Sequence, residues 1–259
     1  MDRAPSADVT DIVQVDHLAQ RFAGRVIYEN VGFTVAPGEI FVILGGSGCG
    51  KSTLMRQMIG LLPPSAGTVV VLGRNMYGKG GDIRERIGVM FQSGALFGSM
   101  TLLENVMLPL EMHTDLPASA RASIARVKLG LVGLADSAAL MPSEISGGMA
   151  KRAAIARALA LDPPLLFLDE PSAGLDPATS AGLDRLLLDL RQDLGATFIV
   201  VTHELASILA IADRCVMLDR AAAGIIAEGD PRMLRDSSDN PVVRAFFRRE
   251  IPASPSHAS

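Results

Sequence analysis

The sequence is short of cysteine, of basic charge and of long apolar runs, and each shortage removes a class of protein. Only Cys49 and Cys215 occur among its 259 residues. One lies in a glycine-rich loop and the other in an apolar run, which suits a reducing compartment better than a disulfide framework. No Cys/His group has zinc-ligand spacing. Lys and Arg number 24 against 28 Asp and Glu, so a net charge of −4 gives no general pull toward nucleic acid or anionic lipid. The longest apolar runs, at 165–168 and 198–201, fall well short of the roughly 20 residues needed to cross a bilayer. The N-terminus lacks the charged-then-apolar pattern of a signal peptide, so the chain is expected in the cytoplasm.

What is present is core material. A hydrophobic share of 49% and 20% charged residues predict a folded chain, and the length suits one large α/β domain carrying a smaller insertion. Apolar runs at 40–44, 87–90, 165–168, 198–201 and 215–218 alternate with helical stretches, which predicts a largely parallel sheet covered on both faces. A helix is clearest after Asp176: Pro177 opens it, Leu183, Leu186, Leu187, Leu190 and Leu194 share a face, and Gly195 stops it. Between 93 and 141 the strand signals vanish and 102–110 and 119–129 read as helices, so an inserted helical subdomain is expected. The β-like stretches within 12–35 are interrupted by Gly24 and Gly32 and suggest a small antiparallel edge. After Asp230 the pattern weakens into a tail, where Asn240-Pro241 opens a short amphipathic helix carrying Val242, Val243, Phe246 and Phe247. The Pro/Ser/Ala-rich end at 251–259 reads as disordered, as do residues 1–11, and no internal repeat is visible.

The first chemical motif is Gly45-Gly46-Ser47-Gly48-Cys49-Gly50-Lys51-Ser52-Thr53, a G-x-x-x-x-G-K-[ST] match lying directly between a strand and a helix. Glycines let the backbone curl until its N–H groups converge on phosphate oxygens, and the helix N-terminus adds partial positive charge. Lys51 supplies a full charge for the β- and γ-phosphates, and Ser52 a hydroxyl for Mg²⁺. A ligand-free glycine turn would require neither the lysine nor four glycines.

A second motif is the apolar run 165–168 ending in Asp169 and Glu170. A buried strand would deliver Asp169 to a magnesium shell and Glu170 to a position where it polarises an attacking water. Gln92, a candidate for both metal and water, follows the run 87–90, and His203, a candidate γ-phosphate donor, follows the run 198–201. Strand carboxyl ends are where open α/β sheets bind ligands. Either residue alone would more often be an ordinary loop residue. Ser146-Gly147-Gly148 before a helical run reads, taken alone, as an N-cap serine with helix-breaking glycines.

Taken in order, GGSGCGKST, Gln92, ISGGMAKR, LLFLDEPSAGLDP and Thr202-His203 resemble the nucleotide-binding domain of ABC transporters over roughly residues 13–228. The resemblance implies a P-loop NTPase, RecA-like core at 12–92 and 155–230, a small N-terminal antiparallel β-subdomain, an inserted ABC α-helical subdomain at 93–154, and a tail at 231–259. It implies an ATPase using ATP and Mg²⁺, with Ser52, Gln92 and Asp169 as metal residues and Glu170, His203 and Gln92 as catalytic ones. Two copies would form a head-to-tail sandwich, each ATP held between one P-loop and the partner copy's serine-glycine turn, with residues 172–176 as the D-loop between the sites. Phe22 stands 23 positions before Gly45, where the family places an aromatic to stack on adenine; a core position in the small sheet is its other reading.

Residues 90–97 with Asn105-Val106, and 141–152, look like the ATPase subunit of Mla-type phospholipid transport systems of Gram-negative bacteria. Met149 departs from the glutamine usual in ABC proteins. That resemblance implies an integral-membrane permease, an MCE-domain substrate-binding protein and a small STAS-domain subunit as partners. No nucleic acid partner is implied, and the location would be the cytoplasmic face of the inner membrane. Leu96 and Phe97 would face the permease or pack locally. The segment from Phe246 to Arg249 would dock on another subunit or fold back on its own domain. An ATPase for a small solute is the alternative function, and a soluble non-transport ABC protein a more distant one.

Overall fold

The structure is a computed structural model and describes residues 11–78 and 83–249. Its strands are β1 (Val13–Phe22), β2 (Arg25–Val35), β3 (Ile40–Gly45), β4 (Ala66–Val71), β5 (Arg74–Asn75), β6 (Ile87–Met90), β7 (Leu165–Asp169), β8 (Thr197–Val201), β9 (Arg214–Asp219) and β10 (Gly224–Gly229). The helices are α1 (Lys51–Met58), α2 (Leu102–His113), α3 (Ala118–Leu131), α4 (Gly147–Ala158), α5 (Pro177–Leu194), α6 (Leu205–Ile211), α7 (Pro231–Ser237) and α8 (Pro241–Arg248).

Six strands form one sheet in the order β10-β9-β3-β8-β7-β6, parallel except for the β10–β9 pair. Strand periodicity explains its burial on both faces. Ile40, Val42 and Leu44 of β3 join one core with Leu166, Leu168, Phe198 and residues of α2 to α5. Phe41 and Ile43 turn the other way, into a second core with Phe167, Ile199 and the Leu54, Met55 and Met58 face of α1. The antiparallel sheet β2-β1-β4-β5 covers that second core through Val13, Val15, Leu18, Phe33, Val69 and Val71.

This antiparallel layer is larger than the small edge expected from residues 12–35. The chain turns at Gly24, but β2 runs straight through Gly32, and three register shifts along β1–β2 absorb the irregular pattern. Short β4, β5 and β10 and helix α7 were not anticipated, because each is too brief or too glycine-rich to show a period.

Helix signals held where caps were chemical. Asp176 Oδ1 accepts from the N–H groups of Ala178 and Thr179, at 3.0 and 3.1 Å, to start α5, and Gly195 ends it in the left-handed conformation. Asn240 caps α8 in the same way, at 2.9 Å from the Val242 N–H. That helix folds back on its own domain, burying Val243, Ala245 and Phe247. The expected disorder at 251–259 and before residue 11 lies outside the described residues.

Candidate functional site

The parallel strands β3, β6, β7 and β8 all point their carboxyl ends to the same edge of the sheet, and the predicted groups collect there. β8 lies between β3, which carries the glycine loop, and β7, which carries the acids, so His203 emerges between the two.

The loop at 45–50 ends in Gly50, which precedes α1 in the left-handed region at φ 105° with no side-chain cap. Glycine is required: an added Cβ would lie 2.8 Å from both Ile27 Cγ2 and Tyr28 Cδ1. The first N–H groups of α1 therefore face the loop without an internal side-chain acceptor. Lys51 Nζ folds over the loop and donates to the carbonyls of Gly45 at 2.9 Å and Gly46 at 3.1 Å. Gly46, Ser47, Gly48 and Ser52 are exposed, Lys51 and Thr53 half-buried. Cys49 is 1% exposed beneath the loop, and burial pushes its thiol up, ahead of the opposing charge of Lys51.

Asp169 ends β7. Its pKa is raised, first by desolvation and then by the charge of Glu170, with Arg56, Lys51 and Lys151 pulling the other way. Glu170 follows in a left-handed backbone at φ 49°, uncommon for a residue with a Cβ. Its N–H donates to the Val201 carbonyl at 2.8 Å, and its Oε1 lies 2.7 Å from His203 Nδ1. Asp169 Oδ1, Glu170 Oε2 and Ser172 Oγ are buried without a hydrogen-bond partner. Orphaned buried oxygens are rare in folded proteins and are expected where a ligand completes them. Two adjacent carboxylates, each with one buried oxygen left free and one of them paired with an exposed histidine, can accept a proton and hold a hard cation.

Gln92 is exposed just past β6, and its carbonyl, rather than its side chain, makes the contact that joins it to the site: it accepts from Lys151 Nζ. Phe22, at the end of β1 opposite Arg25, is 44% exposed and not a core residue. Ser146 caps α4 by accepting from the Met149 N–H at 3.3 Å, with its own side chain exposed. A Cβ added at Gly147 would lie 3.8 Å from Leu175 Cδ2, and one added at Gly148 would lie 2.6 Å from Thr179 Cγ2 of α5. In this chain the serine-glycine turn lies against residues 175–179.

A family model described as ABC transporter matches residues 28–173, more than half of the chain. The chain belongs to the ABC transporter family. It is an ABC-type ATPase subunit, of the kind that binds and hydrolyses ATP for a transporter. It is 41% identical over 243 residues to the intermembrane phospholipid transport system ATP-binding protein MlaF of Escherichia coli K12, covering 92% of this chain and 89% of that one. It is also 41% identical over 243 residues to the probable ribonucleotide transport ATP-binding protein mkl of Mycobacterium tuberculosis H37Rv, but spans only 66% of that protein's length. Among solved structures, the cassette MJ0796 in a dimeric post-hydrolysis state bound to ADP and Pi is similar, with TM-score 0.75 and 30% identity over 84% of this chain and 98% of that one. So is cbiO1 of Clostridium perfringens, with TM-score 0.80 and 28% identity over 92% and 95%. ABC cassettes of this type form dimers and work with membrane components. Among the described residues of this ABC subunit no helix is long and apolar enough to cross a membrane.

Sequence reasoning missed Lys151, whose ammonium reaches two of the predicted loops. The signal was a lysine placed four residues before Ile155, on the apolar stripe of a helix otherwise lined with alanines. Of the two residues expected either at the permease or in local packing, Leu96 packs partly buried against the core, while Phe97 is 51% exposed.

Proposed function

We propose that this chain is the motor of a phospholipid transporter, hydrolysing ATP held between the glycine loop of one copy and the serine-glycine turn of a second. The observation that carries the chemistry is the pair of orphaned oxygens on Asp169 and Glu170 beside the glycine loop. These residues suit Mg²⁺. Among the described residues no cluster of three His, Cys, Asp or Glu side chains forms a protein-only metal cage, and Mg²⁺ prefers one or two carboxylates completed by substrate phosphates and water. Ser52, Asp169 and Gln92 would hold it, and when bound it supplies positive charge to the phosphate oxygens.

The remaining steps belong to the chain. Amides of residues 45–53 and the Lys51 ammonium bind the phosphates, and Phe22 offers a face for adenine. Glu170 takes the proton of the attacking water while His203, within 2.7 Å of its Oε1, fixes the carboxylate and meets the γ-phosphate. Ser146, Gly147 and Gly148 cap the nucleotide of the facing copy, which makes ATP a cross-link that hydrolysis removes. In this reading residues 12–92 and 155–230 are the catalytic core, 93–154 the helical subdomain toward the permease, and 231–259 the tail. The partners are a permease, an MCE-domain protein and a small STAS-domain subunit, with the ATPase peripheral on the cytoplasmic face of the inner membrane.

The near-full-length match to MlaF favours phospholipid as cargo. The mycobacterial relative's name favours a ribonucleotide, so both cargoes belong in the test. With Glu170→Gln, ATP turnover should fall on the order of 10²–10⁴-fold while an ATP-bound dimer persists on size-exclusion chromatography. Normal turnover by that variant would remove Glu170 as base. Proteoliposomes holding the subunit and its permease should move labelled phospholipid. Movement of ribonucleotide alone would reassign the cargo.

A further inference from the structure

Helix α4 is made of small residues around one buried cation. Ala153, Ala154, Ile155 and Ala156 are buried, and Lys151 is buried with them at 9% exposure. Lysine is found at that depth only with partners. Its Nζ donates to the Gln92 carbonyl and, at 3.3 Å, to the Glu170 carbonyl. Both acceptors are main chain, just past the ends of β6 and β7. Desolvation pulls the lysine pKa down, opposed by the carboxylates of Glu170 and Asp169. The helix that begins at Ser146 thus reaches by one side chain across two strand ends.

The conformation of Glu170 gives this contact its consequence. A left-handed backbone at a residue with a Cβ persists only when its surroundings over-determine it. The Glu170 N–H is held by the Val201 carbonyl at 2.8 Å, and the Glu170 carbonyl by the Ala173 N–H at 3.2 Å and by Lys151. Of these, Lys151 is the charged donor, and a charged donor makes the stronger bond. Without it the peptide after Glu170 loses its cationic anchor, and the carboxylate loses its aim.

We infer that Lys151 is a positioning residue for ATP hydrolysis: its ammonium fixes the Glu170 peptide in the left-handed conformation and registers it against the Gln92 peptide of the neighbouring strand end. This rests on Glu170 as the base. The lysine donates to two main-chain carbonyls and acts through the backbone of the base.

Steady-state hydrolysis by the full chain tests it. Lys151→Met, similar in length but without donor or charge, should lower kcat on the order of 10- to 100-fold, the scale of an ångström's misplacement, while KM for ATP stays within about threefold. Lys151→Arg, which keeps charge and donors, should recover turnover to within about fivefold of the native chain. Native turnover in Lys151→Met, a KM that rises as kcat falls, or no recovery in Lys151→Arg would each overturn the inference. In the Glu170→Gln background Lys151→Met should add less than about threefold, because both changes act on one step. A full additive loss there would also overturn it. If Lys151→Met fails to fold by circular dichroism, Lys151→Gln carries the test, with kcat expected between that of Glu170→Gln and the native chain and native kcat counting against the inference. Slow Glu170→Gln with normal Lys151→Met defeats the positioning role alone, whereas normal Glu170→Gln defeats the base assignment.

Discussion

Two glycine-rich helix starts lie in this chain and are built in opposite ways. α1 begins behind a left-handed Gly50 with no side-chain cap, pressed against Ile27 and Tyr28. α4 begins behind an extended Ser146 whose hydroxyl already accepts from its own helix. The first leaves its donors without a side-chain acceptor of its own. The second satisfies one donor internally and keeps its serine at the surface, so it is a finished helix end that a separate surface can meet. Under the proposed function, the contrast separates a site that binds within one molecule from one that acts on a neighbour.

Nucleotide binding to the isolated chain gives the largest expected difference. Lys51→Ala should weaken ATP affinity by on the order of 100-fold in a fluorescent-nucleotide titration, since a full charge is lost from the phosphates. Ser146→Ala should leave that affinity within about twofold and lower turnover instead, with stability reduced by about 1 kcal/mol through the lost cap. Equal losses of affinity in both variants would erase the contrast.

Smaller effects are expected from crowding the two starts. Gly50→Ala combines a left-handed backbone with contacts at 2.8 Å and should cost on the order of 1–3 kcal/mol in urea denaturation. In Gly148→Ala the added methyl meets Thr179 Cγ2 at 2.6 Å, and the cost is partly offset by alanine's helix propensity, about 1 kcal/mol. Thr179→Ser should rescue Gly148→Ala but leave Gly50→Ala unrelieved.

The smallest effect concerns α5, which supports the second start. Burial raises Asp184 on that helix from 3.8 to about 6, with the Ser207 hydrogen bond pulling down and the charge of Glu204 pushing up. The folded state therefore holds the proton more tightly than the unfolded one. Stability from this group is full below about pH 4 and declines as pH rises through about 6. Asp184→Asn should flatten that decline in thermal melts between pH 4 and 6.5, and an unchanged slope would show that other groups set it.

The groups of the candidate site could be picked out of the sequence because each part is local. The glycine loop and its lysine lie together at 45–53 and the strand-end acids are adjacent at 169–170, and the parallel sheet brings these two distant pieces to one edge. Its strand runs at 87–90 and 165–168 also read directly, since buried parallel strands are continuous apolar stretches. The antiparallel layer was harder. β5 has two residues, β1 shifts register along β2, and β1 also pairs with β4, Val13 opposite Val71, so part of the pairing depends on chain distant in sequence. Lys151, Thr179 and Glu204 were missed for a related reason. Their partners lie 19 to 59 residues away for Lys151, and no spacing reports such contacts. Glu204 accepts from Ser180 Oγ at 3.0 Å, a bond between α5 and the segment after β8 that only the fold creates.

Cys49 lies closed under the glycine loop with its thiol held protonated by burial. Thiolate, not thiol, reacts with alkylating agents. The loop therefore carries a dormant nucleophile, reached when the loop opens enough to expose its sulfur. Its labelling rate in bulk reagent is a clock for those excursions, built into the chain without an added probe.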